Sequence, residues 1–176
     1  YIYAITLFTL FVENVSLFSQ LYIILHMNKN KAILKDTAQQ VKYTRNEEML
    51  HAQVGIKLIN TLREEYPELF DAELEARIAR ECEESIRCES EVIRWIIGDY
   101  EVKGMNADIL IEFIKKRMVQ SMDQIGFATE LSYDTNLTRE TKWFDEGLYG
   151  TNMVDFFNGR PVDYARGQGV SADDLF

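Results

Sequence analysis

The sequence predicts an all-α protein. Only two prolines, Pro67 and Pro161, occur in 176 residues, and long stretches of good helix formers run between them and the glycines. Apolar residues in these stretches recur at spacings of three and four, the period of a helix with one buried face. We expect four long helices, at about residues 1–26, 32–65, 71–98 and 106–126. Glycines recur from 147 to 169, so residues 150–176 are predicted to form an extended, flexible C-terminal tail.

The first predicted helix is apolar on nearly all sides. Glu13 and a few amides and hydroxyls interrupt it, and it contains no Lys or Arg up to His26. Such a helix is either the centre of a core or a membrane span. A carboxylate near its midpoint would cost roughly 2.5–3.5 kcal/mol on insertion into a bilayer, so we predict a core helix and no membrane partner.

The second predicted helix follows a short linker at 27–31 and ends before Pro67. Its expected inward stripe alternates steps of three and four, and consists of Val41, Thr44, Glu48, His51, Gly55, Leu58 and Leu62. This pattern predicts that Glu48 and His51 lie on the buried face.

The third and fourth predicted helices are amphipathic. The third has an acidic outer face, and its inward residues are Leu74, Ile78, Cys82, Ile86 and Ile93. The fourth begins at the cap residue Asn106, with Asp108 in its first turn, and ends at Gly126. Its inward residues are Ile109, Leu110, Phe113, Ile114, Met118 and Ile125. Two helices of this kind can cover the apolar first helix.

Charge and cysteine content narrow the function classes. Nineteen Lys and Arg stand against 29 Asp and Glu, which gives a net charge of -10 and argues against nucleic acid as a partner. Cys82 and Cys88 lie roughly 9 Å apart along one helix axis, too far for a disulfide. We therefore expect a reducing, cytoplasmic location. The chain begins at Tyr1 without a basic segment, which favours a fragment or half of a larger protein over a signal peptide.

A metal site is predicted by Glu48 and His51, because a Glu-x-x-His spacing aims both side chains of a helix at one point. Such a pair also occurs by chance on a solvated face. Glu13, a lone carboxylate in an apolar helix, adds a third candidate ligand. One Glu plus one Glu-x-x-His is half of the di-metal site of a ferritin-like helical bundle, and these ligands suit iron or manganese. We interpret His26 as a surface charge at a helix end and not as a ligand.

The sequence resembles the C-terminal half of the small, radical-generating beta subunit of class I ribonucleotide reductase over essentially the whole chain. The stretches that carry the resemblance are Phe11 to Val15, Arg45 to His51, Gly104 to Asn106 leading into Phe113, Gly126-Phe127, and Asp155 to Phe157 with Tyr164. The resemblance implies that Glu13, Glu48 and His51 are metal ligands, mostly of the second metal. It also implies that Glu47 stands where the family usually has an Asp that hydrogen-bonds within the radical path.

The predicted tail carries two further features of this family. Tyr164 matches the tyrosine that relays the radical toward the large subunit, although an ordinary loop tyrosine is an equally simple interpretation. The C-terminal residues resemble the peptide that docks on the large subunit, with Asp173, Asp174, Leu175 and Phe176 as its contacts. An acidic tail without a partner is the alternative.

The resemblance implies an oxidoreductase, a ribonucleoside-diphosphate reductase small subunit that is active only with partner chains. Residues 1–149 would form part of a ferritin-like bundle, completed by another chain, and residues 150–176 the relay and docking tail. The expected cofactor is di-iron, alternatively manganese or mixed Mn/Fe. The expected partners are a polypeptide with the N-terminal half and its missing ligands, the large subunit, and a second copy in a dimer.

Two other functions fit parts of the sequence. An iron-storage or di-iron oxidase bundle would pair two copies of the chain around a symmetric site. A metal-free interaction module would retain the polar core residues without using them. The tail favours the reductase, because a storage bundle has no use for an arm that bears Tyr164 and ends in Leu175 and Phe176.

Overall fold

The computed structural model describes residues 1–149, with side chains through Glu146, and this part of the chain is helical without a strand. The helices are α1 (Ile2–Leu7), a π-helical segment (Phe8–Ser16), α2 (Leu17–Lys31), α3 (Lys35–Glu65), α4 (Ala72–Ile97), α5 (Ala107–Gln124) and α6 (Lys142–Tyr149). Short 3-10 helices occupy Pro67–Leu69 and Leu137–Thr141. The all-α prediction is confirmed, and α1, the π segment and α2 together form the first predicted helix.

The boundaries of α4 and α5 follow the predicted capping residues. The Asp71 side chain accepts a hydrogen bond from the Leu74 amide (2.8 Å), and Asn106 accepts one from the Ile109 amide (2.9 Å). Gly126, just after α5, has a φ of +68°, which a residue with a side chain rarely adopts. These side-chain caps satisfy amides that a helix start otherwise leaves unpaired.

The predicted linker at 27–31 is wrong, because α2 continues to Lys31 and the chain turns at residues 32–34. Asn28 donates a side-chain hydrogen bond to the Ile33 carbonyl (2.9 Å), and Asn30 donates one to the His26 carbonyl (3.1 Å). The asparagines therefore satisfy carbonyls at a helix C-terminus, where the lysines also oppose the negative end of the helix dipole.

The first helix lies at the centre of the bundle. Its π segment contacts α3, α4 and α5, and α2 contacts α3 and α5. By length and composition Ile2–Lys31 is apolar enough to cross a membrane, but a core helix passes the same test, and 44% of its most apolar window is buried among the other helices. Its largest fully buried side chains, Phe18 and Tyr22, pack on Phe113 and Phe144 from α5 and α6.

The inward stripes of α4 and α5 are confirmed, whereas that of α3 is partly wrong. Every predicted inward residue of α4 and α5 is buried except Leu74, which is half-buried. On α3, Thr44, His51 and Leu58 are exposed, and the buried residues are Ala38, Val41, Arg45, Ala52, Gly55 and Ile59. The buried face is rotated because α3 approaches the π segment through small residues. A Cβ at Gly55 would overlap the Thr9 side chain.

Candidate metal centre

The structure brings Glu13, Glu48 and His51 together. One potential ligand atom from each lies within 4.8 Å of the other two. The His51 Nδ1 atom is 3.2 Å from Glu48 Oε2 and 3.8 Å from Glu13 Oε1. Glu13 comes from the π segment, whereas Glu48 and His51 are one turn apart on α3. The predicted convergence of these side chains is observed, and their role as metal ligands stays a prediction.

The local backbone explains how Glu13 reaches α3. Glu13 lies within the π segment, whose wider turns accommodate one more residue than an α-helical turn. Gly55 lets α3 approach this segment closely, with the Thr9 side chain against it. Such π insertions are frequent at functional sites, because they turn one side chain away from the direction that an α-helix would give it.

The cluster is open on one side. The Glu13 and Glu48 side chains retain 16% and 18% of their exposure, whereas His51 retains 56%. The prediction that His51 is buried is therefore wrong for this chain. The physical reason is that no helix in residues 1–149 covers this face of α3.

The surroundings of Glu13 disfavour the charged form of its side chain. Burial raises the pKa of Glu13 above its usual value; the Glu48 charge adds to the rise and His51 opposes it. A cation between the two carboxylates would remove their repulsion. Two carboxylates and one imidazole, with no thiolate nearby, are a donor set that fits iron or manganese. The residues present thus fit one side of a carboxylate-bridged metal site.

The remaining predicted residues are placed as follows. Glu47 is exposed on α3 and is not a member of the cluster. His26 was expected at the surface, but it is 3% exposed. Its Nε2 atom lies 3.0 Å from the Lys103 carbonyl and its ring stacks on Tyr22, because α2 runs one turn further than expected and the 102–105 turn closes over it. Burial lowers the pKa of His26, which favours the neutral ring. It lies outside the cluster.

Five predicted residues lie outside the described part of the chain. They are Tyr164, Asp173, Asp174, Leu175 and Phe176.

A buried polar network next to Glu13 is not predicted from the sequence. Arg117 of α5 is 6% exposed and donates from Nε to the Asn14 carbonyl (2.7 Å) and from Nη2 to Asn14 Oδ1 (2.6 Å). Asn14 in turn donates to the Ser121 hydroxyl (2.5 Å). The available signal was an arginine four residues after Phe113 on the apolar face of α5.

Comparison with known proteins agrees with this arrangement. The family model "Ribonucleotide reductase, small chain" matches residues 1–136. The ribonucleoside-diphosphate reductase subunit beta of Aquifex aeolicus (strain VF5) is 34% identical over 122 residues, which cover 66% of this chain and 16% of that protein. The subunit of the same name from Chlamydia pneumoniae is 22% identical over 152 residues, covering 86% of this chain and 42% of that protein.

A viral protein shows a similar match. A probable ribonucleoside-diphosphate reductase small subunit of Invertebrate iridescent virus 3 is 23% identical over 163 residues, which cover 92% of this chain and 42% of that protein. The chain thus spans less than half the length of each of these relatives. Because the family model covers most of the chain, including all three clustered residues, the chain belongs to the family of ribonucleotide reductase small chains.

Proposed function

We propose that this chain is the C-terminal half of a radical-generating small subunit, which enables a large subunit to reduce ribonucleotides to deoxyribonucleotides in the cytoplasm. The observation that carries the proposal is the cluster of Glu13, Glu48 and His51, which is preformed within one chain and open on one side. Residues 1–149 serve as the metal-binding helices, and residues 150–176 as the relay and docking tail.

The missing ligands come from a second polypeptide. A di-metal carboxylate bundle takes single Glu residues from two helices and Glu-x-x-His motifs from the other two. This chain supplies Glu13 as one single Glu and Glu48 with His51 as one motif, which is half of that set. We propose a partner that carries the N-terminal half, and a dimer of the completed subunit. The metals are two irons, with manganese or a Mn/Fe pair as the alternatives.

An exposed apolar surface beside the cluster supports this partner. The surface, here called the open face, consists of Phe8, Val12, Leu50, Val54 and Leu58, which are 40–61% exposed. The three α3 residues repeat every four positions and form one stripe that runs past His51. Complete burial of a side chain of this size contributes roughly 1.5–3 kcal/mol, so a partner that covers this surface gains affinity while it encloses the cluster.

Different residues of the chain serve metal binding and radical transfer. The metal pair, when bound, supplies the oxidising power that creates the radical. Glu13, Glu48 and His51 would hold it from this side. Glu47 lies beside the ligand motif, where a carboxylate can accept a hydrogen bond in the radical path. Tyr164 passes the radical on by losing and regaining an electron and its phenolic proton.

The tail docks the small subunit on the large one. Leu175 and Phe176 are the apolar anchors, and Asp173 and Asp174 flank them with negative charge. A short peptide segment that binds through a few anchors owes most of its net affinity to them, so the loss of two anchors removes most of that affinity. Docking and metal binding therefore depend on separate segments.

Reduction of a ribonucleotide by the chain, its complementary polypeptide and the large subunit tests the proposal. Tyr164→Phe keeps the ring and should preserve binding to the large subunit while it abolishes turnover. Deletion of 171–176 should abolish binding and turnover but leave the metal content unchanged. Tyr66→Phe, at a tyrosine that is 47% exposed, is the matched control and should be fully active. Normal turnover by Tyr164→Phe would refute the relay role.

Symmetric pairing of two copies is the second candidate, because a half-site at an open surface can also be completed by itself. An iron-storage or oxidase bundle of this kind would bind metal without any other polypeptide. Metal-dependent dimerisation of the chain alone would support it.

A further inference from the structure

We propose that Arg117 is a positioning residue for Glu13 and acts through Asn14. The inference rests on the proposed metal-binding function of the cluster. Asn14 directly follows Glu13 in the π segment, and Arg117 reaches it from α5.

Arg117 donates hydrogen bonds to both the main chain and the side chain of Asn14. Its Nε donates to the Asn14 carbonyl (2.7 Å), and its Nη2 donates to Asn14 Oδ1 (2.6 Å). The Ser121 hydroxyl donates to the Arg117 carbonyl (2.8 Å), so its oxygen is left to accept from Asn14 Nδ2 (2.5 Å). Both ends of the Asn14 amide are thereby assigned and fixed.

The guanidinium has little freedom to move. It lies over the Phe18 ring, 3.6 Å from the ring centroid, and 3.7 Å from Asp145 of α6. Asn14 is 8% exposed and Arg117 6% exposed. A charged hydrogen bond to a buried carbonyl is among the stronger protein hydrogen bonds, because water cannot replace it.

The Arg117 hydrogen bonds matter for the orientation of Glu13, because a π-helical segment is intrinsically less stable than an α-helix. If the segment relaxed to an α-helical register, the residues on the two sides of the change would rotate relative to each other by about 100°, the angle per residue in an α-helix. Glu13 would then turn away from His51. The Arg117 bonds hold the main chain next to Glu13, and so hold its carboxylate toward α3.

A general loss of stability must be separated from a loss of positioning, and Arg63 offers a matched control. Arg63 is also partly buried, lies over the Phe70 and Phe127 rings, and donates to the Ile125 carbonyl. It is on α3, twelve residues beyond His51, which is about 18 Å along the helix. Removing it should destabilise the fold without affecting Glu13.

Mn²⁺ titration of the full chain in complex with its complementary polypeptide, followed by electron paramagnetic resonance, tests the proposal with Arg117→Met, Arg117→Lys, Arg63→Met and Glu48→Gln. We expect Arg117→Met to weaken Mn²⁺ binding about tenfold or more, the range seen when supporting residues behind metal ligands are removed. Arg117→Lys, which can restore one hydrogen bond, should recover part of the affinity. Arg63→Met should bind Mn²⁺ like the wild type. An equal loss in Arg63→Met and Arg117→Met would overturn the proposal.

Amide hydrogen exchange of residues 8–16 is a second readout that needs no metal. Arg117→Met should accelerate exchange of these amides by about tenfold, whereas Arg63→Met should not. Unchanged exchange in Arg117→Met overturns the positioning role, whatever the metal result. If the wild type binds Mn²⁺ no better than Glu48→Gln, the proposed metal function fails, and the exchange data alone decide whether Arg117 holds the π segment.

Discussion

The two sides of the π segment differ in how completely their polar groups are hydrogen-bonded and their apolar side chains are buried. Toward α5, Asn14 has its carbonyl and both ends of its amide hydrogen-bonded, and Arg117 is enclosed by aromatic rings. Toward the open face, Glu13 lies near a second carboxylate, Glu48, and near the exposed His51, and the apolar side chains of the open face are in contact with water. The closed side is a buried core with its polar groups hydrogen-bonded, whereas the open side combines exposed apolar side chains with three candidate metal ligands.

This difference predicts that substitutions on the two sides act on different quantities. Changes on the open side should affect metal binding or association and leave the free energy of unfolding unchanged. Changes on the closed side should affect the free energy of unfolding first. Four experiments examine this separation, in order of decreasing effect.

The largest effect is expected from Glu48→Gln and His51→Ala. Either change should lower metal affinity by more than about 100-fold, since loss of a ligand exceeds the loss of a supporting residue. Helical content should be unchanged, because neither side chain belongs to the fully buried core: Glu48 is part-buried and His51 is exposed. Metal analysis with circular dichroism measures both. Glu84→Gln on α4, in an exposed ion pair, is the control. Unchanged metal content would refute the ligand assignment.

Asn14→Leu should have the largest effect on stability. It removes the side-chain acceptor of Arg117 and the donor to Ser121, and an unsatisfied buried polar group costs about 1–3 kcal/mol. Chemical denaturation measures the change. Gln20→Leu, at an exposed position of α2, should leave the free energy of unfolding within about 0.5 kcal/mol of the wild type. Equal stability of Asn14→Leu and the wild type would show that the closed side is not held by this network.

Val54→Glu should separate folding from association. Val54 is 61% exposed, so the isolated chain should keep its stability. Binding to the complementary polypeptide should weaken about tenfold, or about 1.4 kcal/mol, because a charge replaces an apolar contact. Val92→Glu, on the exposed part of α4, is the matched control and should bind normally. Calorimetric titration distinguishes the two, and equal binding by both variants would exclude the open face as the docking surface.

His26 should give the smallest effect, a pH dependence of stability. Burial lowers the pKa of His26 in the native state below the usual 6.5, so the unfolded state binds more protons as the pH falls through that value. The free energy of unfolding should therefore decrease on acidification below about pH 6.5, by at most about 1.4 kcal/mol per pH unit. Denaturation at several pH values should show a shallower decrease for His26→Gln.

The parts of the fold that the sequence predicts best are those with strong contrast between faces. On α4 and α5, charged outer residues are interspersed with large apolar ones, and every predicted inward residue is buried except Leu74, which is half-buried. On α3 the contrast is weak, and the contact surface is formed by Ala52 and Gly55, whose small size carries no hydrophobic signal. The predicted inward stripe of α3 therefore includes Thr44 and Leu58, which are exposed, in place of the neighbouring Arg45 and Ile59, which are buried.

The sequence predicts the three clustered residues of the candidate site, but not the polar network next to them or the exposure of His51. The Glu-x-x-His spacing and the isolated Glu13 are local features of the sequence, and they are sufficient to nominate the cluster. The Arg117 network joins residues 103 positions apart, and an arginine does not reveal its partner. The exposure of His51 depends on what covers this face of α3, and no local pattern around His51 encodes that.

The central claim is that the open side is half of a di-metal site that a second polypeptide completes. Metal stoichiometry and molecular mass, measured together on the chain alone and on its mixture with the complementary polypeptide, test it most directly. We expect weak, sub-stoichiometric metal binding by the chain alone, and two metals per copy in a complex of the two polypeptides. Stoichiometric di-metal binding by the chain alone, as a monomer or as a dimer of identical chains, would contradict the account.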